Sequence, residues 1–495
     1  MAQETAEEPV LRLSEWLESL GADLSGIGFE GSVGHHRLVA GTKPCQSLQC
    51  SLRSRFMDFV TRRDSEVHLA RFPLDQAFTA RSIINHSIAG PGYQQASRGL
   101  MDERELIIFA LMTERLKGSK SPWEPWISAL PNTFDTPAYY SDVELEELKG
   151  TNLYQAARLL KQQMAAVWKR LEPLCVQLLR EEGIHTDPPC VDDLIWGYST
   201  FWSRGQAIPV SLKDVTEVEE GLVPGLDMCN HSVPARARWQ LQPALNVLNV
   251  TLSPVNAKIR LAQASDSGPS NIFLMVERST ACRPGAEVTI DYGDKSNEEL
   301  LLLYGFCTDT RNMNDQLMIP LLDTGSMPDD PTMEARLMLL EQHGCKPQLF
   351  LPFQLMENIH RPPAESRHLG SSCYIPRTAF DTLQIWCMSR QQLAEELSRK
   401  TPAKLPEPDA ASKADLLDLL VHLLAKTVER LEGPQGTESL EADLGLLNRA
   451  EELPQRMLHS IIYRAGQKKL ARHFLQQAER AALEQMGAPS PSNPK

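Results

Sequence analysis

Apolar positions along the chain recur at helical spacing at both ends and every second residue in a stretch between. Near the start, LRLSEWLESLGAD sets Leu13, Trp16, Leu17 and Leu20 on one helical face, and Gly21 suits the stop. The glycine-rich GIGFEGSVGHHRLVAG that follows reads as turns and a short strand. Residues 45–70 hold no clean period, and basic residues crowd there. From about residue 100, ERELIIFALMTERL places Leu106, Phe109, Ala110, Met112 and Leu116 at helical spacing. Four prolines break up 121–140, which predicts a long irregular connection. NLYQAARLLKQQMAAVWKRLEPLCVQLLREEG predicts a long helix interrupted near Pro173, and DDLIWGYSTFWSRGQAIPV a helix ending at glycine. Between 238 and 292 the period shifts toward two, so WQLQPALNVLNVTL, NIFLMVERST and AEVTIDYG predict strands. After 310 helices return. SKADLLDLLVHLLAKTVERLE opens with Ser412 and Asp415 as a capping pair and carries Leu416, Leu420, Leu423 and Val428 on its apolar face. TPAKLPEPDAAS reads as a linker and GAPSPSNPK as a flexible tail. The order implies a β domain split by helices, then a helical domain.

The totals narrow the class. At 495 residues the chain exceeds one compact core, and 42% apolar with 23% charged residues is globular composition. A net charge of −14 argues against nucleic acid or an anionic membrane as partner, and suits a basic protein surface. No run of 18 apolar residues occurs, so no membrane span is expected. The ten cysteines form no C-x-x-C pair, which leaves a zinc site unsupported and fits reduced thiols inside a cell. The acidic start is unlike a signal or transit peptide, so cytoplasm or nucleus is expected, or a chloroplast if a presequence is missing.

Two stretches do not look like solvated surface: GLDMCNHS at 225–232 and DYGDKSNEELLLLYGF at 291–306. Alone, Asn230 and His231 read as a turn with local side-chain bonds, and a second NHS at 85–87 makes the tripeptide weak evidence. Val288 and Ile290 alternate as strand residues, and Tyr292 stands where that strand ends. Ser296 can cap a helix with Glu298 and Glu299 in its first turn, and Tyr304 follows one short helix later. Taken singly, both tyrosines read as half-buried aromatics with satisfied hydroxyls.

Together, an N-H-S segment, two strands, a Tyr-Gly run with S-N-x-E-L, and Y-G-F resemble the C-terminal half of a SET domain. The resemblance is to the branch typified by the Rubisco large-subunit lysine methyltransferase. PWISALPNTFDTPAYYSDVELEELKGTNL resembles that branch's inserted helical segment, YSTFWSRGQAIPV the helix before the N-H-S motif, and HSIIYRAGQKKLARHFL (459–475) the closing helices of its substrate-binding domain. The resemblance covers roughly residues 80–480.

It implies an α+β fold: a SET β-fold over 1–308 with a helical insertion at about 95–205, an all-helical substrate-binding domain over 309–482, and a flexible tail at 483–495. It implies an S-adenosylmethionine-dependent protein-lysine N-methyltransferase acting on a folded, non-histone protein. A monomer without metal is expected. Tyr292 matches the catalytic tyrosine, and Asn230 and His231 the pair that clasps the cofactor. Asp227 and Tyr304 match cofactor- or substrate-pocket positions. Ser203 and Arg204 match a Ser-Arg pair, with Ser203 toward substrate and Arg204 toward the cofactor carboxylate. The family's Gly-x-Gly strand is expected within FEGSVGHHRLVAG, from Glu30, Gly31 and Gly34, interrupted by His35 and His36. Two other readings stand beside this one: protein-histidine N-methylation within the same branch, and a SET-like scaffold without turnover.

Overall fold

The computed structural model describes residues 8–31, 37–41, 66–209, 217–243, 270–277, 283–322, 330–357, 366–370, 373–399 and 404–485. Gly34, His35, His36, the 45–65 stretch, the second half of WQLQPALNVLNVTL and residues 486–495 of the tail lie outside the described residues, while 483–485 belong to helix Gln455–Gln485. The described chain is α+β. It forms two compact units, one from Met1–Phe134 with Gln162–Gly293, the other from Asp135–Lys161 with Asp294–Lys495.

The first unit holds the strands β1 Ile27–Glu30, β2 Arg37–Ala40, β3 Glu66–Pro73, β4 Phe78–Thr79, β5 Gln206–Pro209, β6 Val218–Leu222, β7 Asn230–His231, β8 Ala237–Pro243, β9 Ser270–Glu277 and β10 Thr289–Ile290. β9 lies between β3 and β8 in an antiparallel sheet. Ile272, Phe273, Leu274, Met275 and Val276 are all buried. A central strand covered on both faces loses the alternation of a half-exposed one, so its sequence is a continuous apolar run. β6 lies between β4 and β5 in a second antiparallel sheet, and β1 pairs with β2.

Helix Glu103–Lys117 begins at Asp102, whose carboxylate accepts the Glu105 N–H at 2.8 Å. Helix Val191–Arg204 follows the expected pattern and stops before Gly205. The helix expected to break near Pro173 instead runs unbroken over Asn152–Glu181. A proline removes one helical hydrogen bond, but Leu171, Cys175, Leu178 and Leu179 are buried on either side of it and hold the segment in register.

In the second unit, Ser296 caps the turn Asn297–Glu299 in a reciprocal pair with Glu299, as its spacing predicts. The continuation Leu300–Tyr304 is a π-helix rather than an α-helix. Helices Ala410–Glu432 and Gln455–Gln485 share a core that includes Leu420, Leu424, Leu470 and Phe474. The first of these is capped by Asp409, not by the Ser412–Asp415 pair: the Asp409 carboxylate accepts the Ser412 N–H at 2.8 Å. Where helices alone were expected, two antiparallel pairs also stand: β11 Gln316–Pro320 with β12 Gln348–Pro352, and β13 Ser366–Leu369 with β14 Cys373–Pro376. Runs of four or five residues are too short to register against the longer helical periods around them.

Candidate active site

The two stretches singled out from the sequence lie side by side. β7 and β10 pair in parallel, with Thr289 opposite Asn230 and Ile290 opposite His231. Parallel neighbours require a long crossover, and here it contains β8 and β9. Just before β10 the same chain bonds to β2: the Val288 N–H donates to the Leu38 carbonyl at 2.8 Å, and the Ala40 N–H to the Ala286 carbonyl at 2.9 Å. The segment 285–290 thus joins β2 to β7 and delivers Tyr292 at its end.

Tyr292 is half-buried. Its hydroxyl donates to the Cys229 carbonyl at 2.6 Å, and its backbone N–H donates to Nδ1 of His231 at 3.1 Å. The two rings lie 5.1 Å apart. Burial lowers the pKa of His231, while the Asp291 carboxylate opposes that shift. The Asn230 side chain is exposed and donates to Glu287 at 2.6 Å, and Ser232 and Thr289 share a hydroxyl–hydroxyl bond of 2.6 Å.

The turn before β7 is set by Gly225, at φ +89°, where a Cβ would fall 2.7 Å from a Leu17 methyl. Asp227 is 6% exposed, and both its oxygens are engaged. One accepts the Gly225 N–H at 2.8 Å and the other the indole N–H of Trp126 at 2.9 Å. Burial raises its pKa, with Arg204 acting in the other direction. Trp126 is itself held by Phe78, whose ring is 5.4 Å away. Arg204 donates to the Asp227 backbone carbonyl at 2.6 Å, and its Nε is buried without a hydrogen-bond partner among the described residues. Ser203 turns back on its own helix, donating to the Ser199 carbonyl at 2.6 Å.

The structure therefore gathers Tyr292 with His231, and Arg204 with Asp227. It gives Asp227 a structural task at the turn and leaves Ser203 bonded within its helix. Tyr304 is part of the second unit, at the end of the π-helix, with burial raising its pKa and Phe306 at 6.3 Å. Sequence reasoning passed over Trp126, Glu287 and the Cys229 carbonyl. A tryptophan within the proline-rich SPWEPW was the available signal for the first. It also passed over Gly26-Ile27-Gly28 at β1, a Gly-x-Gly in plain view, where a Cβ at Gly26 would lie 2.4 Å from the Leu69 carbonyl oxygen. Among the described residues, no group of three or more His, Cys, Asp or Glu could hold a metal ion, and no helix is long and apolar enough to cross a membrane.

No family model matches the chain. The chain is 28% identical over 250 residues to the ribosomal lysine N-methyltransferase set10 of Schizosaccharomyces pombe, a match covering 49% of this chain and 38% of that protein. It is 24% identical over 318 residues to the actin-histidine N-methyltransferase of Homo sapiens, covering 63% and 44%. The chain thus spans less than half the length of these curated relatives. Among solved structures, the SET domain of LSMT bound to lysine and AdoHcy superposes with a TM-score of 0.63 at 18% identity, covering 98% of this chain and 94% of that one. Rubisco LSMT bound to AdoMet gives 0.62 at 17%, covering 97% and 93%. The fold is that of SET-domain proteins. Within that class the chain is similar, over nearly its whole length, to the Rubisco LSMT structures.

Proposed function

We propose that the chain is an S-adenosylmethionine-dependent protein methyltransferase whose acceptor is a lysine side chain of a folded, non-histone protein. The observation that carries the reading is the parallel pairing of β7 with β10, which brings the Tyr292 hydroxyl to the Cys229 carbonyl. Both the S. pombe and the human relatives are named as methyltransferases.

The chemistry asks little covalent work of the protein. A lysine amine, with an ordinary pKa of ~10.4, must lose its proton before its lone pair can attack. With the Tyr292 O–H donated to the Cys229 carbonyl, the phenol oxygen acts toward other groups as an acceptor. An incoming amine can donate to that oxygen, which orients its own lone pair and supports the positive charge growing on nitrogen. S-adenosylmethionine, when bound, supplies a methyl group activated by the sulfonium. The chain's residues fit such a group: the buried, unpartnered Nε of Arg204 is suited to a carboxylate, and Asn230 with His231 would flank it on β7. Gly26-Ile27-Gly28, at the start of β1, would take the place of the interrupted Gly-x-Gly expected further on. Residues 309–482 would dock the substrate protein.

Histidine as acceptor is the second reading, supported by the match to an actin-histidine N-methyltransferase, which extends over more of this chain than the lysine enzyme's match does. The test is to incubate the chain with methyl-labelled S-adenosylmethionine and cell extract, then to hydrolyse the labelled protein. Methyllysine supports the primary reading and methylhistidine the second. No label, together with no calorimetric binding of S-adenosylmethionine, would leave the scaffold reading.

A further inference from the structure

Tyr292 stands one residue beyond Asp291 and outside the two-residue ladder of β7 and β10. The ladder ends toward Tyr292 with the Ser232 N–H on the Ile290 carbonyl at 3.2 Å; the chain then bends at Val233 and comes back at Arg236, whose N–H donates to the Thr289 carbonyl at 3.2 Å. The Tyr292 N–H is a backbone donor in a half-buried place and needs an acceptor. Nδ1 of His231 supplies it at 3.1 Å. One ring thus meets Tyr292 at two points, through this bond and through ring contact at 5.1 Å. The far end of the same tyrosine is fixed by the Cys229 carbonyl, and Cys229 immediately precedes β7.

We infer that His231 is a positioning residue for Tyr292, active only as a neutral imidazole whose Nδ1 accepts the Tyr292 N–H. A protonated ring carries hydrogen on both nitrogens and accepts nothing. Protonation therefore turns an acceptor into a donor facing a donor, and Tyr292 loses its hold at the backbone. The inference rests on the catalytic role proposed for Tyr292 and gives it a pH dependence.

Burial sets the direction, against the nearest charge. The Asp291 carboxylate lies 3.9 Å from Nδ1, is half exposed to solvent and favours the protonated ring. Glu287 reaches the neighbouring Asn230 rather than the imidazole. The Cys229 thiol is buried, and burial raises its pKa, which keeps it uncharged. Burial of the ring outweighs both Asp291 and the hydrogen bond with the Ile290 backbone, each of which raises its pKa, so His231 titrates below its ordinary 6.5. Near neutral pH the ring accepts, and the bond fails as pH falls.

Two substitutions separate positioning from mere packing. His231→Asn puts an uncharged acceptor oxygen close to the position of Nδ1, whereas His231→Leu keeps bulk and removes the acceptor. The chain has nine tyrosines, so labelling them with heavy nitrogen gives few amide signals, and the one missing from Tyr292→Phe belongs to residue 292. In the unsubstituted chain that signal is expected to move with pH along one curve centred below 6.5, and in His231→Asn to stay still. In methyl transfer, kcat is expected to fall on that same curve. His231→Leu should lose about tenfold or more in kcat at neutral pH, with His231→Asn recovering part of the loss and having no acid limb. A residue 292 amide that ignores pH, or that titrates equally in His231→Asn, overturns the inference. Absence of methyl transfer in the unsubstituted chain would overturn the functional reading instead, and the amide titration still decides the role of His231.

Discussion

Tyr292 depends on neighbours that its own segment does not contain. Its hydroxyl proton goes to residue 229 and its amide proton to residue 231. Tyr292→Phe keeps the ring and removes the oxygen, so kcat for methyl transfer is expected to drop about a hundredfold with little change in S-adenosylmethionine affinity by calorimetry. Trp126→Phe acts differently. It leaves one oxygen of buried Asp227 without its donor, which is expected to cost about 1–3 kcal/mol in urea unfolding. His231 adds a sign at this scale. Its folded pKa lies below the unfolded 6.5, so the stability it contributes is whole above 6.5 and is lost as pH falls through the depressed value. His231→Asn is expected to lose less stability than the unsubstituted chain between pH 7 and pH 5.

Elements succeed or fail at their ends and at their buried charges. The turn leading into β7 requires the positive φ of Gly225, so Gly225→Ala is expected to destabilise the first unit by about 1–3 kcal/mol, read by chemical unfolding. In the second unit, Asp443 sits in the first turn of helix Leu440–Leu447, wholly buried. It bonds Arg464 at 2.7 Å and Lys468 at 2.6 Å, both on helix Gln455–Gln485. Removing it leaves Arg464 with Glu147 alone and Lys468 with only the Glu438 carbonyl, and Asp443→Ala is expected to cost about 3–5 kcal/mol in urea unfolding. Helix existence was legible in the sequence because long amphipathic periods repeat themselves. Ends were less so: the cap at Asp409 lay three residues ahead of the predicted pair, since several polar residues near a helix start can serve and only the backbone path selects one. The short strands β11–β14 were hidden for a related reason, as four or five residues do not define a period.

Over the whole molecule, the net charge of −14 bears on association more than on chemistry. For a basic protein acceptor, KM is expected to rise between 0.1 M and 1 M salt as the screening length falls from ~10 Å to ~3 Å, with kcat nearly unchanged. A KM independent of salt would remove charge from the account of substrate choice.

The sequence by itself determined the alternation of helical and strand segments, the α+β class, and the two short stretches on which the site is built. Periodicity and capping are local, and each is written in neighbouring residues. Only the tertiary structure decided that Asn230 and His231 run parallel to Thr289 and Ile290, that Asp227 is spent on Trp126 and the Gly225 turn, and that a histidine ring receives the tyrosine's amide. Apart from the local Gly225–Asp227 bond, these join residues from about 60 to 100 positions apart. Which donor meets which acceptor over such distances is fixed by the crossover of the chain, and no local pattern encodes that path.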